Sequence, residues 1–152
     1  SMLYLYGNHY HDELINKGAR AEYEGYAVDM DLMKMNKGDF GLSWYGESLI
    51  DGRGKIGEYM SYNNPHKVSL YLRCHAPVII SKKAGLAAFV EAHGIGITVD
   101  SLTEIDEVIA GVTDEEYRKM KENVVKVSEK IAEGYYFKCA FERAVKLLSR
   151  CS

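Results

Sequence analysis

The feature that most constrains this chain is the alternation of short apolar segments with helical segments. Extended runs are predicted at residues 3–6, 39–45, 77–80 and 96–99, with a weaker candidate at 21–28. Short buried strands that alternate with helices are typical of a parallel sheet covered by helices on both faces. The sequence therefore predicts a Rossmann-like α/β fold, organised as a single domain over residues 1–152.

Helix boundaries are marked most clearly in the second half of the chain. Ser101 with Glu104, and Thr113 with Glu116, have the spacing of capping boxes, which begin helices. Helices are also predicted at residues 11–17, after Asp29, from Asn64 to about residue 74, before Gly94 and over 137–148. Residues 46–64 show neither a helical nor a strand period, so the sequence predicts a long loop there.

Composition excludes several classes of protein. The chain of 152 residues is 47% hydrophobic and 27% charged, a balance that argues against disorder. Its net charge of −3 offers no basic face for nucleic acid. No run approaches the roughly 20 apolar residues that a transmembrane helix needs. The three cysteines form no C-x-x-C pair, which favours a reducing compartment such as the cytoplasm.

The strongest candidate for a ligand site is the segment Tyr-Asn-Asn-Pro-His-Lys at residues 62–67. Ligands of open parallel sheets bind at the carboxyl ends of strands, beside helix N-termini. Here Asn64 is a suitable N-cap and Pro65 a suitable first helical residue, so free backbone N–H groups would face an anion. A lysine in the first turn opposes the helix dipole, which favours a phosphate partner for Lys67. A plain capped helix with a solvated lysine explains the same residues and stays open.

Other patterns in the chain are weaker. Residues 52–57 match G-x-G-x-x-G, but no predicted strand leads directly into them, and we interpret them as a flexible turn. Trp44, at the end of a predicted strand, either caps the core or lines a ligand cleft. Four neighbouring residues near the start of the chain could in principle bind a metal, but their spacing is not that of a usual metal site. We therefore predict neither a bound metal nor a cofactor. That set is His9, His11, Asp12 and Glu13.

Several of these segments together resemble a known family. The residues that carry the likeness are 40–46 (FGLSWYG), 62–72 (YNNPHKVSLYL), 77–80 (PVII), 94–102 (GIGITVDSL), 115–124 (EEYRKMKENV) and 134–140 (GYYFKCA). They resemble the C-terminal half of a GT-B glycosyltransferase. They are similar in particular to the bacterial galactofuranosyltransferase-like and accessory-secretion glucosyltransferase-like group.

The resemblance implies a two-domain enzyme whose C-terminal domain holds a nucleotide-diphosphate sugar, with UDP as the expected nucleotide. It implies one set of residues at the donor diphosphate and a second set that flanks the nucleotide. The first set is Tyr62, Asn63, Asn64 and Lys67, and the second is Trp44, Gly46, Ser81 and Lys82. The acceptor would bind an N-terminal domain of the same enzyme, outside this chain.

The expected function is hexosyl or galactofuranosyl transfer to a glycan or protein hydroxyl in bacterial polysaccharide biosynthesis. The parent enzyme is expected in the cytoplasm or at the inner surface of the membrane, and the isolated chain is expected to be inactive. No catalytic residue is assigned, because the two-glutamate pattern common among retaining members is absent. A non-catalytic assembly domain paired with an active transferase therefore stays open. A sugar-nucleotide epimerase domain and self-association of the chain stay open as well.

Overall fold

Parallel strands form the framework of the molecule. The computed structural model describes residues 1–7, 20–26, 29–52 and 54–149. The strands are β1 (Leu3–Tyr6), β2 (Ala21–Gly25), β3 (Gly41–Ser43), β4 (Val78–Ser81) and β5 (Gly96–Val99). β1 pairs with β2, and a second sheet has the order β3-β4-β5, with every pairing parallel. The predicted α/β class is confirmed, although the strands that we expected in one sheet lie in two.

Helices fill most of the remaining described chain. They are α1 (Asp29–Met35), α2 (Lys55–Met60), α3 (His66–Arg73), α4 (Ala87–His93), a 3₁₀ turn (Leu102–Glu104), α5 (Ile105–Gly111), α6 (Asp114–Ala132) and α7 (Tyr135–Leu148). Both predicted capping boxes are present, one at the 3₁₀ turn and one at the start of α6. The predicted helix at residues 11–17 and the polar set around His9 lie outside the described residues.

The main core lies on one face of the β3-β4-β5 sheet. Val78 and Ile80 of the central strand are at most 1% exposed and pack against apolar residues of α3, α4 and α6. Those residues are Val68 and Leu72, Ala87 and Val90, and Val124 and Val127. Ile79 points to the opposite face and is also buried, so the central strand is buried on both sides. This explains its uninterrupted apolar sequence.

The prediction of a long loop over residues 46–64 was wrong, because α2 lies within it. Met60 anchors this short helix by burial, whereas Ile56 and Tyr59 are exposed. An amphipathic pattern is therefore missing from the sequence. The helix is held instead by close backbone packing: a Cβ atom at Gly57 would lie 1.5 Å from the carbonyl oxygen of Gly52. Gly52 and Gly57, which the sequence analysis assigns to a flexible turn, are in close backbone contact.

The start of α3 also differs from the prediction. Pro65, in an extended conformation, is the N-cap, and no side chain caps the helix. Asn64 therefore lies one residue before the N-cap. Its side chain accepts no hydrogen bond from the N–H groups of the first turn. The Val68 N–H bonds to the Pro65 carbonyl at 3.1 Å, which closes the first turn.

None of the helices within the described ranges combines the length and hydropathy that crossing a membrane requires.

The packing of Gly57 against Gly52 gives a direct test of this fold. Replacing Gly57 with Ala forces a backbone shift, and we expect the free energy of unfolding to fall by about 2 kcal/mol or more. The matched control is Gly111→Ala, since a Cβ atom there meets nothing within 4 Å and the residue is helical. That change is expected to be neutral or stabilising by up to about 1 kcal/mol. Urea unfolding followed by circular dichroism measures both, and equal effects would contradict the packing contact.

Candidate functional site

A cleft of about 550 Å³ opens at the carboxyl ends of β3 and β4. Its walls come from the strand ends, from the segment leading into α2, from α2 itself and from the first turn of α3. The polar lining residues are Ser43, Tyr45, Asp51, Lys55, Glu58, Ser61, Ser81 and Lys83, and the glycines are Gly52, Gly54 and Gly57. The apolar lining residues are Met60, Pro65, Val68, Ile80, Ala84 and Leu86. This edge of a parallel sheet is where such folds bind ligands.

Sheet register explains which side chains reach the cleft. Gly41 pairs with Val78, and Ser43 pairs with Ile80, so all four lie on the face that α3 covers. Tyr71, near the end of α3, sits over Gly41, where a Cβ atom would approach its ring to 2.2 Å. The helix runs back along the sheet, and its first turn therefore lies at the strand ends beside Ser43 and Ile80.

The first turn of α3 presents unsatisfied donors at the mouth of the cleft. The N–H groups of His66 and Lys67 have no acceptor within the part of the chain that the structure describes. The ammonium of Lys67 lies 5.7 Å from the ring centroid of Tyr45, which lines the cleft. No carboxylate of the described residues forms an ion pair with Lys67. The helix dipole and the ammonium together make this rim favourable for an anion.

Lys82 has a different environment from Lys67. Its ammonium donates to the Asp100 carboxylate at 2.5 Å, and both side chains are largely exposed. This hydrogen bond, with the charge of Asp100, holds the pKa of Lys82 above its ordinary value. The neighbouring Ser81 lines the cleft, whereas Lys82 does not.

The remaining predicted site residues lie outside the cleft lining. The Trp44 indole N–H donates to the Ser48 carbonyl at 3.1 Å, and Gly46, with φ 124°, packs closely against Gly52, so both hold the loop that leads to α2. Tyr62 is 85% exposed, and the Asn63 amide contacts the Met60 sulfur at 3.7 Å. Asn64 is exposed. Of the eight predicted residues, Ser81 alone is part of the described cleft lining.

Sequence reasoning missed most of the cleft lining, above all Asp51, Gly52 and Gly54 and the α2 residues Lys55, Gly57 and Glu58. The sequence analysis interprets residues 52–57 as a flexible turn, because no predicted strand leads directly into the G-x-G-x-x-G match. In the structure α2 begins at Lys55, inside the match, with Gly54 as its N-cap at φ 98°. The match itself was the available signal for a helix start, but the exposed apolar residues Ile56 and Tyr59 conceal the amphipathic pattern that would have predicted α2.

Among the described residues, no group of three or more histidine, cysteine, aspartate or glutamate side chains is arranged to hold a metal ion.

Comparison with known proteins identifies the family. A family model described as glucosyltransferase 3-like, C-terminal domain, matches residues 1–144. The chain belongs to this family. It is 42% identical over 106 residues to the beta-1,6-galactofuranosyltransferase WbbI of Escherichia coli (strain K12), a match that covers 70% of this chain and 32% of that protein.

A second relative is also a glycosyltransferase by name. Glucosyltransferase 3 of Streptococcus gordonii is 34% identical over 128 residues, which cover 84% of this chain and 37% of that protein. The chain thus spans about a third of the length of these relatives. The resemblance to the galactofuranosyltransferase-like and glucosyltransferase-like group is confirmed, and the chain is a glycosyltransferase-related C-terminal domain.

The pairing of Lys82 predicts a measurable change in its titration. Because the Asp100 hydrogen bond is the main cause of the raised pKa of Lys82, we expect Asp100→Asn to lower that pKa toward its ordinary value. Nuclear magnetic resonance titration of the lysine side chains measures it. Asp114→Asn is the control, since Asp114 is not among the groups that shift Lys82. An unchanged pKa of Lys82 in Asp100→Asn would show that the ion pair does not form in solution.

Proposed function

We propose that this chain is the donor-binding domain of a glycosyltransferase, with the diphosphate of a nucleotide sugar bound at the first turn of α3. The observation that carries the proposal is the pair of free N–H groups at His66 and Lys67 beside an ammonium without a carboxylate partner among the described residues. A helix start of this kind binds phosphate through backbone donors and the helix dipole. The family membership supports it, because the relatives are glycosyltransferases.

The same groups would assist the reaction by stabilising charge. When the bond between the sugar and the diphosphate breaks, negative charge develops on the departing phosphate oxygens. Fixed N–H donors and the Lys67 ammonium stabilise that charge without reorganising, which lowers the barrier. Lys67 is available for this role because Lys82, and not Lys67, pairs with Asp100.

The names of the relatives suggest the transferred group. One relative is named a galactofuranosyltransferase and the other a glucosyltransferase, so we propose hexosyl or galactofuranosyl transfer from a UDP-sugar to a glycan or protein hydroxyl. Because the chain spans about a third of their length, we place the acceptor site in an N-terminal domain, in the GT-B arrangement. We propose that the enzyme acts in the cytoplasm or at the inner membrane surface.

The central test is removal of the Lys67 ammonium in the full-length protein. Lys67→Ala is expected to lower turnover by roughly 10²-fold or more, as for loss of a key electrostatic donor. Release of UDP from a UDP-hexose, measured with an acceptor present, reports turnover. Lys119→Ala is the control, because Lys119 is exposed on α6, away from the cleft.

Calorimetry with UDP and UDP-hexoses separates this function from the alternatives. Binding by the wild type, with weaker binding by Lys67→Ala, is the expected result. Unchanged turnover and affinity in Lys67→Ala would refute the diphosphate role. A full-length protein that binds no nucleotide would instead favour the non-catalytic assembly role.

A further inference from the structure

The Lys67 ammonium lies beside an aromatic ring and not beside a carboxylate. Its nitrogen is 5.7 Å from the ring centroid of Tyr45, within the range of a cation–π interaction. Tyr45 follows β3 and lines the cleft, whereas Lys67 lies in the first turn of α3. The contact therefore joins the end of a strand to the start of a helix at the mouth of the cleft.

An aromatic ring holds an ammonium in a different way from a carboxylate. The ring attracts the cation through its quadrupole and leaves the positive charge uncompensated, whereas a carboxylate neutralises it. Lys82 is an example of the second case, since its ammonium donates to Asp100 at 2.5 Å. Lys67, held by a ring, keeps its full charge for an anionic ligand.

The flexibility of lysine makes such a contact useful. A lysine side chain is long and mobile, and ordering it on a ligand costs conformational entropy. Lys67 is exposed, so packing in the core does not order its side chain. A contact that places the ammonium at the cleft before the ligand arrives lowers this cost on binding.

The backbone on both sides of Tyr45 is fixed, as a positioning role requires. The Trp44 indole N–H donates to the Ser48 carbonyl at 3.1 Å. Gly46 packs so closely on Gly52 that a Cβ atom at Gly46 would lie 2.4 Å from the Gly52 carbonyl oxygen. The half-buried side chain of Tyr45 therefore extends from a defined position beside the cleft.

We propose that Tyr45 is a positioning residue whose ring holds the Lys67 ammonium at the diphosphate site without neutralising it. The proposal rests on the proposed function, since it assumes that the diphosphate binds at Lys67. It gives Tyr45 a role that acts through Lys67 and not through contact with the nucleotide. It also adds a residue that the sequence analysis does not assign to the donor site.

A double-mutant cycle in the full-length protein tests the pairing. Calorimetry measures the dissociation constants of UDP and of inorganic pyrophosphate for the wild type, Tyr45→Leu, Lys67→Ala and the double variant. We expect Tyr45→Leu to weaken both ligands about 2- to 5-fold, the range of one exposed cation–π contact. In the Lys67→Ala background the same change should have no effect, because the ring then has no ammonium to hold.

Two further variants separate the ring from other features of a tyrosine. Tyr45→Phe keeps the ring face and should bind both ligands like the wild type, since the Tyr45 hydroxyl forms no hydrogen bond with residues in the described ranges. Tyr59→Leu is the matched control, because Tyr59 is 61% exposed on α2 and is not part of the cleft lining. It should leave both affinities unchanged.

Nuclear magnetic resonance tests the contact without any ligand. The ring current of Tyr45 should shift the ε-methylene signal of Lys67 in the wild type away from that of Lys119, which is exposed on α6. The signal is assigned by its loss in Lys67→Ala. The shift should persist in Tyr45→Phe and disappear in Tyr45→Leu. An unshifted Lys67 signal in the wild type would refute the contact, even if circular dichroism shows that Tyr45→Leu is unfolded.

The failures of the two proposals are distinguishable. If Lys67→Ala weakens both ligands while Tyr45→Leu does not, the positioning role is refuted and the diphosphate site stands. If Tyr45→Leu has the same effect with and without Lys67, weakens UDP alone, or is matched by Tyr45→Phe, the residue does not act through Lys67 and the positioning role is again refuted. If the wild type binds neither ligand, the proposed function is overturned, and the positioning role is overturned with it.

Discussion

The packing of α3 along the parallel β3-β4-β5 sheet is the interaction on which the rest of the structure depends. Val68 and Leu72 bury their side chains against Val78 and Ile80, and this apolar contact fixes the helix antiparallel to the strands. One consequence is that the start of the helix meets the ends of the strands. Free N–H groups, the Ser43 side chain and an apolar wall are thereby placed around one cleft, although residues 43, 65 and 80 are far apart in the sequence.

Close backbone contacts shape the other side of that cleft. Gly57 packs on the carbonyl of Gly52, and Gly46 packs on the same residue from the preceding loop. Such contacts leave no space for side chains, so the glycines form a closely packed wall where the sequence predicts a flexible turn. Trp44 supports the same loop through its bond to the Ser48 carbonyl, which gives it a structural role beside the cleft.

Two lysines near the cleft, Lys67 and Lys82, differ in their surroundings. Lys82 is paired with Asp100, and its raised pKa reflects that local partner. Lys67 contacts a tyrosine ring and has no carboxylate partner in the described chain, which leaves its charge available to a ligand. The sequence predicts Lys67 at the donor diphosphate and Lys82 beside the nucleotide, but it does not show which of them has a carboxylate partner. The fold supplies that difference, because it brings Asp100 next to Lys82.

The α/β class, the buried strand near Val78–Ser81 and the capping boxes at Ser101 and Thr113 could be predicted from the sequence, because they depend on local periodicity and on residues three positions apart. The sequence also determined the family. Folding placed α2 within a glycine-rich segment and brought Ser43 to the cleft beside Ile80 and the first turn of α3. The position of Ser43 depends on pairing between strands distant in the chain, and α2 depends on close backbone packing of Gly52 and Gly57, and neither shows as a helical or strand period in the sequence.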